Sequence, residues 1–253
     1  MILRIILYVL QAIASVIIPL VVVGYLKNKF TVKLKNLFDG VAVFFIFYCL
    51  IYAVISTCAE LFTPLYEKVE SEIWLIIINA LIESLCVFIG YAFWYKVAIK
   101  IKDKTDVGLM TGTGFAFIRT IFAYGINAVL CVVTGLMYIK GKLSFENEII
   151  QSSLDGFLIS TPDYISLLLL QLIAVFALEV AVALIIYRVK MCEDAKYWIL
   201  ASFVLRTGAI TILKCGNFLN RTAIVFMVIA IAVVLSGIAC SLVKPFVRKT
   251  DKT

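Results

Sequence analysis

Apolar runs of roughly 18 or more residues recur along this chain, starting with MILRIILYVLQAIASVIIPLVVVGYL at the N-terminus. A run of that length cannot be hidden inside a domain of this size many times over. It belongs in hydrocarbon, where every backbone N–H and C=O must be satisfied within the protein. Alternating short strands that would close a β-barrel are absent, so the remaining solution is the helix. Composition agrees, with 64% hydrophobic and only 15% charged residues over 253 positions, where soluble domains carry about a quarter charged. We therefore expect an all-α, polytopic transmembrane bundle forming one integral membrane domain over 1–253, in contact with the lipid bilayer.

Seven spans are predicted at about 2–25, 38–62, 73–98, 107–139, 164–187, 197–213 and 222–243. The first is too long for the apolar core of a signal peptide and lacks a small-x-small cleavage site, so it reads as a membrane helix. The fourth exceeds a simple span and should be tilted, kinked near Gly125 or continued outside the bilayer. Basic residues alternate between loops: fifteen fall in segments 26–37, 96–106, 188–196 and 244–252, against five at Lys68, Lys140, Lys142, Lys214 and Arg221. By the positive-inside rule this places the N-terminus outside and the C-terminus in the cytoplasm, in the cytoplasmic membrane. The one long connection, 140–163, would then be an outer interfacial helix or a cap over the bundle.

The charge of +7 is dispersed over short loops, which is a solvated-loop pattern and not a nucleic-acid footprint. Seven scattered cysteines include no C-x-x-C pair, giving neither a disulfide framework nor a zinc site. They read as small buried hydrophobes. Histidine is absent altogether, so a Ser/His/Asp site is excluded and no metal or other cofactor is expected. The sequon at Asn220-Arg221-Thr222 lies beside the bilayer and carries little weight. Asp39 and Glu60 lie near the ends of span two, where snorkelling to water is the ordinary expectation.

Four ionisable residues lie well inside the spans: Glu83, Arg119, Glu179 and Arg206. At 1.5 Å per residue each is roughly 12–18 Å from a helix end. A charge at mid-depth costs a few kcal/mol even on lenient scales, so exposure to lipid is disfavoured. Two negative and two positive charges point to mutual neutralisation, as Glu83–Arg119 and Glu179–Arg206 pairs. Small and polar neighbours share their helix faces: Gly112, Ala116, Ala123 and Asn127 beside Arg119, Asn79 beside Glu83, Ala183 beside Glu179, and Ser202 beside Arg206. Asn79, Ser84, Asn127 and Ser202 are the polar candidates for lining this cluster. Two roles stay open, holding the helices in register or also shaping a binding site. The stretch TGTGFAFIRT lacks the G-K-[ST] ending of a phosphate loop, so its alternate glycines need a packing explanation.

Several segments together resemble the YhfC family of intramembrane metalloproteases. They are IIPLVVVGYLKNKFTVKLKNLFDGVAVFFIF, NALIESLCVFIGYAFWYK, TGTGFAFIR, EVAVALIIY and SFVLRTGAI. On this resemblance Glu83 keeps a motif glutamate, while Ser84 and Val87 stand for a second glutamate and an arginine. Phe115 replaces a histidine and Arg119 a glutamate. Glu179 and Arg206 occupy two further histidine positions, and Ala183 a serine. What the resemblance implies is a protease-like scaffold that has lost its metal ligands. The expected function is a non-catalytic membrane protein binding a partner helix, peptide or lipid-like ligand. A transporter or permease component, and an active protease built on other residues, are the alternatives.

Overall fold

The apolar runs fold as helices of membrane-crossing length. The computed structural model describes residues 1–30, 33–62, 72–97, 105–141, 148–191, 196–215 and 220–250. Among these the chain is helical, without strands. Seven helices are long and apolar enough to cross a bilayer: Ile2–Lys29, Lys35–Cys58, Ile73–Val97, Val107–Ile139, Pro162–Val189, Tyr197–Lys214 and Arg221–Leu242, called spans one to seven below. This is a multi-pass helical membrane protein. Lys68, Lys100, Lys102, Lys104, Lys142 and Lys252, which carry part of the expected orientation, lie outside the described residues, as does Cys192.

Span five is the axle of the bundle. Of its most apolar stretch 67% is buried, against 39% or less for every other span. It packs chiefly on spans four and seven, with further contact to spans one, three and six. Span one shows the opposite pattern, presenting Ile6, Leu10, Ile13, Ile17 and Leu20 outward. In a bilayer that face meets acyl chains, so its exposure carries no penalty.

The alternate glycines of TGTGFAFIRT serve two neighbours at once. A Cβ on Gly114 would strike the carbonyl of Leu37 in span two, and one on Gly40 would strike the carbonyl of Thr111. On the other side, a Cβ on Gly112 would lie 2.7 Å from that of Ala183 in span five. Without a hydrophobic drive between helices in lipid, this backbone-to-backbone approach supplies the dispersion contacts that hold spans two, four and five together.

Span four, at 33 residues, would be about 50 Å long, well beyond a hydrocarbon core of about 30 Å. It does not break at Gly125; it passes through a π-helical stretch, Ile121–Gly125, and continues to Ile139. Such a stretch rotates the faces that follow it and is frequent at functional sites. A second one, Phe44–Ile51, lies in span two. A connecting helix, Glu148–Ile159, packs on the far end of span four, within the 140–163 segment expected to be an interfacial helix or a cap. Arg4 Nη1 donates to the carbonyl of Leu158 at 2.8 Å, the Tyr8 hydroxyl donates to Ser160 Oγ at 2.9 Å, and the ring of Phe157 fills the space over Gly135.

Three smaller expectations are resolved. Asp39 is buried, not snorkelling to water, because the Gly40 contact draws its turn of helix against span four; the Glu60 side chain lies outside the described ones. Of the described cysteines Cys86, Cys131 and Cys215 are buried, but Cys58 and Cys240 are exposed on outer helix faces. Asn220 begins span seven as its N-cap: its Oδ1 accepts from Thr222 N at 2.9 Å and its carbonyl from Ile224 N at 3.0 Å.

Candidate functional site

Four spans each bring one charge to the bundle interior. Glu83 comes from span three, Arg119 from span four, Glu179 from span five and Arg206 from span six, and all four are buried. Arg119 Nη2 donates to Glu83 Oε1 at 2.9 Å. Arg206 Nε lies 3.2 Å from both oxygens of Glu179, and its Nη2 lies 3.0 Å from Oε1 of the same carboxylate. These are the two pairs the sequence suggests, but they are not separate. Arg119 Nη1 also contacts Glu179 directly, and Arg206 Nη2 reaches Glu83 at 3.7 Å. Each guanidinium thus bridges both carboxylates, the planar fork geometry for which arginine is suited.

A fifth member is new. Lys214, at the end of span six, places Nζ 3.0 Å from Glu83 Oε2 and 3.5 Å from the Tyr52 hydroxyl. The sequence places it among loop charges because it sits at a helix terminus. Its flexible stem carries the ammonium back toward Glu83 while its side chain stays 35% exposed. Three cations therefore face two carboxylates, and the network carries a formal charge of +1.

The polar neighbours divide. Ser84 belongs to the network, its hydroxyl accepting from Arg206 Nη1 at 3.0 Å. Asn127 lines a cavity beside Arg119. Ser202 is fully buried one turn before Arg206, and its hydroxyl donates to the Ile199 carbonyl of its own helix at 2.9 Å. A local acceptor one turn back satisfies it without a long-range partner. Asn79 is half-buried one turn before Glu83.

A divalent metal does not fit this arrangement. Both carboxylates are committed to cationic side chains, and an added +2 charge would sit within a few ångströms of two guanidinium groups that cannot lose their protons. Phe115 is fully buried among Phe44, Tyr48 and Tyr91, with ring centroids 5.5–6.1 Å away.

On the side of the network facing the connecting helix the bundle opens. A cavity of about 290 Å³ is bounded by Arg119, Tyr48, Gln11, Tyr124, Asn127 and Gln171, among others. Ala123, Tyr124 and Asn127, which follow Arg119 in span four in and just after the π-helical stretch, line its wall. The Arg119 guanidinium is also 5.3 Å from the Tyr48 ring centroid, a cation–π contact at the cavity edge. Sequence reasoning misses Gln11, Tyr124 and Gln171. The two glutamines carry a readable signal, being amides in otherwise apolar spans, but which helix faces converge is a tertiary matter. No family model matches the chain, and no curated protein or solved structure matches it.

Proposed function

We propose that this chain is a non-catalytic, protease-like protein of the cytoplasmic membrane that binds a small polar or lipid-like ligand. The observation that carries this reading is the polar cavity ending on Arg119. Its volume of about 290 Å³ lies at the lower end of the usual range for small-molecule sites. A headgroup or small molecule fits that space; a whole partner helix does not, although a side chain from a peptide or neighbouring membrane protein does. The charge network forms a prebuilt inner wall whose geometry is held by four helices, so a ligand meets it without reorganisation cost. The protease-like part rests on the resemblance and on Glu83, Phe115, Arg119, Glu179 and Arg206 standing at its motif positions.

Native mass spectrometry of the detergent-solubilised protein tests the reading. Wild type is expected to retain a non-protein adduct, and Ala123→Trp, which fills the cavity from its wall, is expected to lose it. Cleavage of a membrane peptide that is abolished by chelator and by Glu83→Gln would instead favour the enzyme. A transport component is the second reading, favoured by a cavity that reaches inner charges from one end of the bundle. Ligand-dependent flux in reconstituted vesicles distinguishes it.

A further inference from the structure

The cavity beside Arg119 is not isolated. A second chamber of about 300 Å³ shares Gln11, Asn127, Tyr164 and Leu168 with it. A third, of about 150 Å³, shares Tyr164, Gln171 and Leu213. Both outer chambers are bordered by Arg221, whose guanidinium lies 4.1 Å from the Tyr164 ring centroid. The three adjoin through these shared residues between the N-terminal end of span seven and the charge network, and are together called the cleft below.

Two independent features define what this cleft recognises. The first is charge. Its inner wall is the arginine of a network with a +1 excess and its outer rim is a second arginine, while no carboxylate borders any of the three chambers among the described residues. Low-dielectric walls concentrate that field inside the cleft. The second is an unpartnered acceptor. Gln11 is only 2% exposed; its Nε2 donates to the Tyr124 carbonyl at 3.3 Å, and its Oε1 has no hydrogen-bond partner. The amide cannot be turned over without setting its oxygen against that carbonyl, and Gln11 borders both of the larger chambers. A buried acceptor beside a polar chamber calls for a donor from within it, an ordered water or a ligand hydroxyl that displaces one.

We propose that the cleft binds a hydroxylated oxyanion: a phosphate or carboxylate held by Arg221 in the chamber of about 300 Å³ that it borders together with Gln11, with a neighbouring hydroxyl donating to Gln11 Oε1. This rests on the ligand-binding reading above and narrows it to a chemical class. The same chemistry occurs in a small soluble anion and in an anionic lipid headgroup. The probes are therefore glycerol 3-phosphate and lactate, added to protein in phosphatidylcholine nanodiscs, and nanodiscs containing phosphatidylglycerol without added anion. Glycerol serves as the neutral control.

Saturable binding of glycerol 3-phosphate or lactate, with glycerol inert, supports a soluble anion. Preferential retention of phosphatidylglycerol over phosphatidylcholine in native mass spectra, with the soluble probes inert, supports a headgroup. In either case Arg221→Gln and Gln11→Leu should each weaken binding by about fivefold or more, and phosphatidylglycerol or anion binding that ignores both variants overturns the assignment. Should Gln11→Leu fail to fold, Arg221→Gln at the exposed rim carries the test alone. Retention of only neutral adducts, or preference for glycerol, overturns the oxyanion class while leaving the ligand-binding reading standing. Wild type and Ala123→Trp that are alike in retaining nothing would sink both.

Discussion

Removing Glu179 should damage this protein more than removing Arg119, although the two touch each other. The intact network holds Arg119, Arg206 and Lys214 against Glu83 and Glu179, a formal +1. Glu179→Gln raises it to +2 and leaves Arg206, which is fully buried and donates through Nε to both oxygens of that carboxylate, without its principal partner. Arg119→Met lowers it to 0, with each carboxylate still in contact with Arg206, and Glu83 also with Lys214. The two states also differ in their means of relief. A carboxylate left in excess can take up a proton, whereas a guanidinium cannot give one up. A 3 Å contact at an effective dielectric of about 20 is worth roughly 5 kcal/mol before desolvation is subtracted. Breaking a buried pair from one side costs about 3–5 kcal/mol. We therefore expect Glu179→Gln to cost about 3–5 kcal/mol and Arg119→Met about 1–3 kcal/mol. The double change Glu179→Gln with Arg206→Met restores a +1 network and should recover at least about 1.5 kcal/mol relative to additivity. Equilibrium unfolding in mixed dodecyl maltoside and dodecyl sulfate micelles, read by tryptophan fluorescence, measures these three and the single change Arg206→Met, which completes the cycle. Simple additivity of the pair, or a greater loss for Arg119→Met than for Glu179→Gln, would refute the linked-network argument.

Gly114→Val sets a branched side chain against the Leu37 carbonyl, and no rotamer relieves a clash at Cβ; a loss of about 1–3 kcal/mol and of the monodisperse peak in size-exclusion chromatography is expected, whereas Gly24→Ala, with open space around it, should behave as wild type. The lysine asymmetry predicts that Lys29 and Ser152 lie on opposite sides of the membrane. Single cysteines at these exposed positions, in a background without native cysteines, should label from the cytoplasmic and outer sides respectively; labelling of both by an impermeant reagent from one side contradicts the topology. Arg4→Ala removes the bond to the Leu158 carbonyl that ties down the connecting helix. Amide exchange over Glu148–Ile159 should rise severalfold while the centre of span five is unchanged, and equal protection in both proteins would show that packing on span four suffices.

The helical fold class and the seven membrane spans are legible in the sequence because bilayer thickness fixes the length of an apolar run and hydrocarbon leaves the backbone little besides helix. The buried ions Glu83, Arg119, Glu179 and Arg206 are legible for the same reason, since a charge that lipid rejects must find a place inside. The close-packing use of Gly112 and Gly114 is also suggested by spacing, though not which neighbour each one meets. What only the tertiary structure decides is the connectivity. That each arginine bridges both glutamates depends on spans three to six meeting at one depth and rotation, and a helical wheel for a single span carries no information about its neighbour's rotation. Lys214 joins because a flexible stem can carry its ammonium from a helix end toward Glu83, where residue number alone places it in a loop. That the Ser202 hydroxyl bonds the Ile199 carbonyl of its own helix is likewise visible only in the structure. The cleft itself is a product of packing, since Asn127 of span four meets Gln11 of span one and Gln171 of span five on one wall, side chains from three spans distant in sequence.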